Sequence, residues 1–205
     1  LRHHPDKIQA SDKPLIPKKI HQVWVGPKPI PERVHWMMAT WQELNPDWEY
    51  KLWTDADLES FGLENQKAYD QAPNYGAKSD IFRVEILERF GGVYVDVDFE
   101  CLKPLDELHH KYDFYCGLLG YQEEIANGLM ASRPHHPVLR TCIDRWKSMD
   151  CFDIEDLDEI IATTGPKFLT NVVAQYLVQE ENFDVPTVVF PVRYFFAFPS
   201  SRRFD

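Results

Sequence analysis

Basic residues are scarce in this chain relative to acidic ones. Lys and Arg number 22 against 33 Asp and Glu, so the 205 residues carry a formal net charge of −11 at pH 7. Binding to nucleic acid needs a basic surface that neutralises phosphates, and the sequence has no run of Lys and Arg, so we expect no nucleic-acid partner. An acidic protein that binds a phosphorylated small molecule needs a local cation instead.

Long apolar runs and closely spaced cysteines are also missing. No apolar stretch reaches the length of a membrane span, and the polar first residues are unlike a signal peptide. We therefore expect no membrane span, and a location in a bacterial cytoplasm or as a secreted effector in a host cytosol rather than in the Golgi. The cysteines are interpreted as buried free thiols because none has the spacing of a zinc or redox site: Cys101, Cys116, Cys142 and Cys151.

Helical and strand patterns alternate along the chain, which predicts one α/β domain over residues 18–205 after a loose leader over residues 1–17. Strands are predicted at Lys19–Val25, Trp48–Trp53, Val93–Phe99, Tyr112–Leu119, Gly128–Ala131 and Thr187–Phe190. Helices are predicted from Pro31 to Leu44, from Thr54 or Asp55 to Gly62, from Gly76 to Phe90, over Pro137–Met149 and over Pro166–Gln179. The acidic segment Asp150–Glu159 is interpreted as a solvated loop and helix start.

Two aspartates stand in the most strongly patterned strand, Val93–Phe99, which follows the Gly91-Gly92 helix stop. Alternation along a strand places Tyr94, Asp96 and Asp98 on one face. Two close carboxylates repel unless a proton or a cation lies between them, and oxygen ligands favour Mg²⁺ or Mn²⁺. Such an ion would bridge the carboxylates to a diphosphate, although an Asp-X-Asp pattern alone is also found in exposed strand ends.

The helix before this strand carries Asp80 and Arg83 three residues apart, hence on one face. One interpretation is a local ion pair between them. In the other, Asp80 accepts hydrogen bonds from sugar hydroxyls and Arg83 donates to sugar or phosphate oxygens. Trp24, at the end of the first strand, is either a core tryptophan or a surface on which a nucleotide base stacks, because α/β folds bind ligands at the carboxyl ends of strands.

Several other residues keep two interpretations. Tyr94 suits a buried core position and a ligand contact equally well, and Asn127 and the turn Thr164–Pro166 suit ordinary loop chemistry. His21 is interpreted as a core histidine whose polar groups are satisfied. The sequence has no Ser/His/Asp or Cys/His arrangement and no Gly-rich phosphate-binding loop.

In three blocks the sequence resembles glycosyltransferase family 32, whose sugar-binding region contains an Asp-X-Asp motif. The blocks are Ile16–Trp24 (IPKKIHQVW), Ala77–Arg83 (AKSDIFR) and Phe90–Asp98 (FGGVYVDVD), extended less specifically by Asn127–Ser132, Thr164–Pro166 and Tyr194-Phe195. The resemblance implies a GT-A type, Rossmann-like nucleotide-sugar-binding fold with a central mixed, mostly parallel sheet flanked by helices. It also implies a nucleotide-diphosphate sugar donor, a divalent metal (Mn²⁺ or Mg²⁺) and retention of anomeric configuration.

The same resemblance, which extends distantly to the large glucosylating toxins, assigns roles to individual residues. The tryptophan matching Trp24 stacks on the base, and the residues matching Asp80 and Arg83 hold the sugar. The residue matching Tyr94 lies by the nucleotide, and the one matching Ser79 contacts the nucleoside. The residue matching Asp96 contacts the ribose, the sugar and a metal-bound water, and the one matching Asp98 binds the metal. Asn127 is expected within the donor-binding region. A UDP-sugar is the favoured donor and GDP-mannose an alternative, with a glycan, lipid or protein as acceptor.

Family members usually continue past the segment matching Tyr194–Pro199 into a stretch with further His and Trp residues, which closes over the donor. This chain ends at Asp205, so we expect that it lacks the closing segment or completes the site in another way. The competing functions are a nucleotidyltransferase, which also uses paired carboxylates and a metal, and a non-catalytic module that binds nucleotide sugars.

Overall fold

The computed structural model describes residues 8–120, 124–149, 156–179 and 186–196. Within them the strands are β1 (Lys19–Val23), β2 (Glu49–Trp53), β3 (Gly92–Val95), β4 (Phe114–Leu119), β5 (Glu124–Ser132) and β6 (Thr187–Phe190). The helices are α1 (Glu32–Leu44), α2 (Asp55–Phe61), α3 (Gln66–Gln71), α4 (Tyr75–Phe90), α5 (Asp106–Lys111), α6 (Pro137–Lys147), α7 (Leu157–Thr163), α8 (Pro166–Val178) and α9 (Val192–Phe195).

The strands form a single sheet in the order β2-β1-β3-β5-β4-β6. Strand β1 pairs in parallel with β2 and β3, and β4 pairs in parallel with β6, whereas β5 runs antiparallel between β3 and β4. The predicted α/β fold with a mixed, mostly parallel sheet is therefore confirmed. In the described residues no helix is both long enough and apolar enough to cross a bilayer.

Each face of the sheet supports a hydrophobic core of its own. Tyr94 of β3 belongs to the core formed with α4, α6 and α8, while its neighbours Val93 and Val95 belong to the core formed with α1 and α5. Adjacent residues of a strand point to opposite faces. Strand β3 is therefore buried on both sides, as expected for a central strand covered by helices.

The expected strand Val93–Phe99 is too long, because β3 ends at Val95. The last ladder bond is donated by the Asp96 amide to the Gly128 carbonyl at 2.8 Å, and the Phe99 amide then donates to the Asp96 carbonyl at 3.2 Å, which closes a turn. The prediction that alternation along one strand aligns Asp96 with Asp98 is thus wrong. Asp96 and Asp98 line the same cavity, and a turn rather than a strand separates them.

Other element boundaries move by a few residues. Strand β1 ends at Val23 rather than Val25, and β4 begins at Phe114 because Tyr112 ends α5 by donating its amide to the Leu108 carbonyl. Strand β5 is longer than the predicted Gly128–Ala131. Helix α2 begins after Thr54 in a capping box and ends at Gly62 in the left-handed conformation, as predicted.

Part of the predicted leader packs on the domain. The amides of Ser11 and Leu15 donate to the carbonyls of His110 and His109, both at 2.7 Å, and Ile16 is fully buried. Residues 1–7 lie outside the described residues, as does Cys151, and the boundary at residue 17 stays a prediction. The other three cysteines are free and buried, as predicted.

Candidate donor site

A cavity of about 470 Å³ opens at the carboxyl ends of β1 and β3. Six of the eight predicted site residues line it: Trp24, Ser79, Arg83, Tyr94, Asp96 and Asp98. The other two, Asp80 and Asn127, are not among the lining residues and lie against Arg83. Residues that are distant in sequence are thus brought to one end of the sheet, where α/β folds bind ligands.

Helix α4 carries three of these side chains into the interior. It begins where the Asn74 side chain accepts a bond from the Ala77 amide at 2.9 Å, and it ends at Gly91, whose amide donates to the Leu87 carbonyl. Every residue from Asp80 to Glu88 is buried. The helix therefore packs on all sides, and its charged residues need partners within the protein.

Arg83 is the centre of the buried polar network. Its guanidinium lies 3.2 Å from an Asp80 oxygen and 3.3 Å from an Asp96 oxygen. It also donates to the carbonyls of Asn127 at 2.8 Å and Ser79 at 3.2 Å. Burial opposes the charged form, but the acidic groups around it outweigh burial and raise the pKa of Arg83 above its ordinary value. The cavity thus contains a permanent, fixed cation in an acidic protein.

Tyr94 connects this cation to the first aspartate of the motif. Its hydroxyl donates to Asp96 Oδ1 at 2.6 Å, and the Arg83 guanidinium lies 4.4 Å from the centre of its ring. Burial raises the pKa of Tyr94 well above its ordinary value, so the phenol stays a neutral donor. Tyr94 is thus a buried core residue that also lines the cavity, while its contact with a ligand stays a prediction.

Asp96 is held in place from three sides and still keeps 31% of its side chain exposed. Gln22 donates to its backbone carbonyl at 3.3 Å. A Cβ atom at Gly128 would lie 2.6 Å from Asp96 Oδ2, so only glycine leaves room for this carboxylate. Neither Gln22 nor Gly128 was expected at the site from sequence, because their roles depend on strand pairing.

Asp80 is satisfied within the protein. Its Oδ1 accepts from the Asn127 side chain at 2.8 Å and its Oδ2 from the Thr164 hydroxyl at 3.1 Å, while Arg83 lies alongside. Burial raises the pKa of Asp80 to about 6, although Arg83 and the two donors favour the charged form. The ion-pair interpretation of Asp80 and Arg83 is therefore confirmed, whereas the sugar-binding interpretation stays a prediction, because only Arg83 of the two lines the cavity.

Trp24 and Tyr75 supply two aromatic surfaces to the cavity. The Trp24 indole donates to the Lys28 carbonyl at 2.7 Å, which fixes the orientation of its ring. Tyr75, the first residue of α4, is 48% exposed, and its ring lies so close to Gly26 (φ +99°) that a Cβ there would come within 2.8 Å. Tyr75 was missed from sequence, because the signal is an aromatic next to a helix cap and is not specific.

The two motif aspartates fit a divalent cation as a partial site. Among the described residues no group of three or more His, Cys, Asp and Glu side chains could hold a metal ion by itself. Asp96 and the exposed Asp98 nevertheless line one cavity with oxygen ligands only. Mg²⁺ and similar ions commonly take one or two carboxylates and complete their coordination with phosphate oxygens and water. The oxygen ligands of Asp96 and Asp98 therefore suit a divalent ion that is also coordinated by a bound diphosphate.

The interpretation of His21 as a satisfied core histidine is confirmed. The Trp53 indole donates to Nδ1 at 3.1 Å, so Nε2 carries the proton and donates to the Gly91 carbonyl at 2.9 Å. Burial lowers the pKa of His21 to about 4, so the ring is neutral at pH 7. His21 thereby holds Gly91, the residue before β3, in place.

Comparison with known proteins agrees with this geometry. The profile of the family described as glycosyltransferase sugar-binding region containing DXD motif matches residues 31–115, which include α4 and both motif aspartates. Inositol phosphoceramide mannosyltransferase 1 of Schizosaccharomyces pombe is 31% identical over 84% of this chain and 56% of its own length. Mannosyl phosphorylinositol ceramide synthase SUR1 of Saccharomyces cerevisiae is 35% identical over 82% of this chain and 44% of its own length. The chain spans about half the length of these curated relatives.

The expected location is wrong. The two relatives named above are yeast proteins, which contradicts the expectation of a bacterial cytoplasm or a secreted effector. The absence of an apolar run, on which that expectation rested, concerns only the residues present in this sequence.

The fold has solved counterparts. The PaToxG glycosyltransferase superposes with a TM-score of 0.66 at 19% identity, over 88% of this chain and 74% of that one. At this identity the likeness shows the architecture, which is of the GT-A type. Residues 31–115 of this chain thus match the glycosyltransferase sugar-binding region containing the DXD motif, in agreement with the resemblance found in the sequence.

Proposed function

We propose that this protein is a retaining glycosyltransferase that moves a hexose or N-acetylhexosamine from a nucleotide-diphosphate sugar to an acceptor hydroxyl with the help of a divalent cation. One observation carries the proposal: the buried Arg83 pairs with Asp96 at the wall of the cavity that Asp98 and Trp24 also line. Such a cavity offers an aromatic surface for a base and positive charge for a diphosphate, with two carboxylates to hold a cation.

The relatives refine the donor and the acceptor within this proposal. Both named yeast proteins transfer mannose according to their names, and both names specify an inositol phosphoceramide. We therefore favour a mannosyl donor such as GDP-mannose over a UDP-sugar, and a lipid acceptor over a glycan or a protein.

The positions of the side chains support one arrangement of the bound donor. The base stacks on Trp24, whose ring is held by the Lys28 carbonyl. The diphosphate lies between Arg83 and Asp98, where Asp98 and Asp96 would hold Mn²⁺ or Mg²⁺. When bound, the ion supplies positive charge that stabilises the departing diphosphate.

The chain's own residues then direct the transfer. Arg83 neutralises charge on the leaving oxygen, because its own partners keep it charged and fixed before the reaction begins. Asp80 and Asn127 hold Arg83 from behind the cavity lining, and Asp80 is the proposed acceptor for the sugar hydroxyls. The bond from the anomeric carbon to the diphosphate oxygen breaks while the acceptor oxygen bonds from the same face. The acceptor proton passes to the released diphosphate, so configuration is retained.

Replacement of Asp98 tests the proposal. We expect Asp98→Asn to lower the release of nucleoside diphosphate from GDP-mannose and UDP-sugars with Mn²⁺ by roughly 10²-fold, because a ligand of the charge-stabilising ion is lost. Asp47→Asn, an exposed aspartate between α1 and β2, is the matched control and should behave as wild type. Undiminished turnover in Asp98→Asn would refute the role of the motif.

The products separate the competing functions. A nucleotidyltransferase would consume a nucleoside triphosphate and release pyrophosphate, whereas a glycosyltransferase releases a nucleoside diphosphate. A non-catalytic module would bind the nucleotide sugar, and so raise the melting temperature, without either reaction.

A further inference from the structure

A second and larger cavity, of about 790 Å³, lies on the other face of the sheet. Most of its lining is apolar, with Trp41, Phe99, Leu102, Leu105, Leu129 and Tyr194 contributing. Trp41, Leu105 and Leu129 belong to the core that contains Val95, on the face opposite Tyr94. We call this cavity the apolar groove.

The apolar groove is a preformed feature, because its floor is tied to helix α1. The Trp41 indole donates to the Phe99 carbonyl at 2.7 Å, and the Cys101 amide donates to the Thr40 hydroxyl at 2.9 Å. Asn45 adds a contact to the Cys101 sulfur at 3.7 Å. These contacts fix the segment after the motif without a ligand, and small-molecule sites are usually preformed in the same way.

The apolar groove adjoins the donor cavity through Phe99 and Gly128. From the position of a Cβ on Gly128, the tip of the Phe99 ring is 3.3 Å away and Asp96 Oδ2 is 2.6 Å away. Phe99 lines the groove and Asp96 lines the donor cavity. A molecule that contacts Phe99 in the groove thus lies close to the Asp96 carboxylate, which lines the donor cavity.

The rim of the groove leaves large apolar side chains in solvent. Leu102 is 65% exposed and Tyr194 is 54% exposed. Charged residues of both signs also line the cavity, among them Glu107, Lys103 and Arg193. Charges of both signs give no net attraction for a charged polymer. The apolar surface therefore determines which kind of ligand binds in the groove.

We propose that the apolar groove holds an aliphatic chain of a lipid acceptor and thereby brings the lipid's headgroup hydroxyl to the donor sugar. This assignment rests on the proposed transferase function. The apolar lining matches a hydrocarbon chain, and the contact between Phe99, Gly128 and Asp96 places the headgroup end at the donor cavity.

Leu102→Glu tests the groove, with Val178→Glu as its matched control. Both residues are exposed, at 65% and 72%, and Val178 ends α8 and does not line the groove. We would measure binding of a fluorescent short-chain ceramide, and mannosyl transfer to inositol phosphoceramides with C2 or C16 N-acyl chains. Melting temperatures and donor hydrolysis without acceptor report on folding and on the donor site.

We expect Leu102→Glu to weaken ceramide binding and raise KM for the long-chain acceptor by about tenfold, because a leucine contact is replaced by a charge. Donor hydrolysis should stay as in wild type, and Val178→Glu should change nothing. Equal ceramide binding by all three proteins would overturn the proposal, as would displacement of the ceramide by a soluble oligosaccharide. If wild type binds ceramide in a Leu102-dependent way but turns over no nucleotide sugar, the groove stands and the transferase function fails.

Discussion

At the scale of single residues, the site depends on one buried cation and the groups that keep it in place. Arg83 touches Asp80 and Asp96, and its guanidinium lies over the Tyr94 ring. The spacing of Asp80 and Arg83 predicted their proximity from sequence, because residues three apart share a helix face. Their partners Asn127 and Thr164 are 47 and 84 residues from Asp80, so tertiary structure alone brings them together.

Tyr75 provides a prediction at this scale. We expect Tyr75→Ala to weaken binding of GDP and UDP by about 1–3 kcal/mol, the usual value of stacking one base on an aromatic ring. Tyr75→Phe keeps the ring and should bind as wild type does. Isothermal titration of the three proteins measures the difference, and equal affinities in all of them would show that only Trp24 faces the base.

At the scale of secondary-structure elements, the helices of more than ten residues were predicted well, whereas those of six or fewer were not. Helix α4 and strand β6 lie where their patterns placed them. The apolar/polar alternation of Val95-Asp96-Val97-Asp98 continues past the last hydrogen bond of the strand ladder. The pattern therefore predicted a strand where the chain forms a turn. Helices α3, α5 and α9 have four to six residues each and were not predicted, because so few residues show no clear period.

Asp80 of helix α4 leads to a prediction about how the free energy of unfolding depends on pH. Burial raises the pKa of Asp80 from 3.8 to about 6. A carboxyl whose folded-state pKa is raised contributes stability that is complete below the unfolded pKa and is lost as pH rises through the folded value. The free energy of unfolding of wild type, relative to Asp80→Asn, should therefore fall by up to about 3 kcal/mol between pH 4 and pH 7. Urea titrations across this range measure the difference, and a difference independent of pH would contradict the buried, proton-binding carboxyl.

At the scale of the whole molecule, the sheet divides two environments. The donor cavity contains fixed charges of both signs at the strand ends, and the apolar groove lies on the opposite face. The sequence predicted the sheet class, and six of the eight residues expected at the site line the donor cavity, since they lie in short motifs at the end of β1, in α4 and around the end of β3. The groove was not predicted, because α1, α5, α9 and the segment after Asp98 meet there only in the folded chain.

The overall charge gives this division a functional meaning. A chain of net charge −11 has to collect positive charge where a diphosphate binds. Arg83 provides part of that charge, and the two motif carboxylates are suited to recruit the rest as a metal ion. The central claim is that diphosphate and cation bind together between these three side chains.

A crystal structure of the protein with Mn²⁺ and GDP or UDP, with data collected at the manganese absorption edge, tests that claim most directly. The account predicts an anomalous peak within bonding distance of Asp98 and the diphosphate, with Arg83 beside the phosphates and the base against Trp24. A manganese ion remote from both motif carboxylates, or a nucleotide bound outside this cavity, would contradict it.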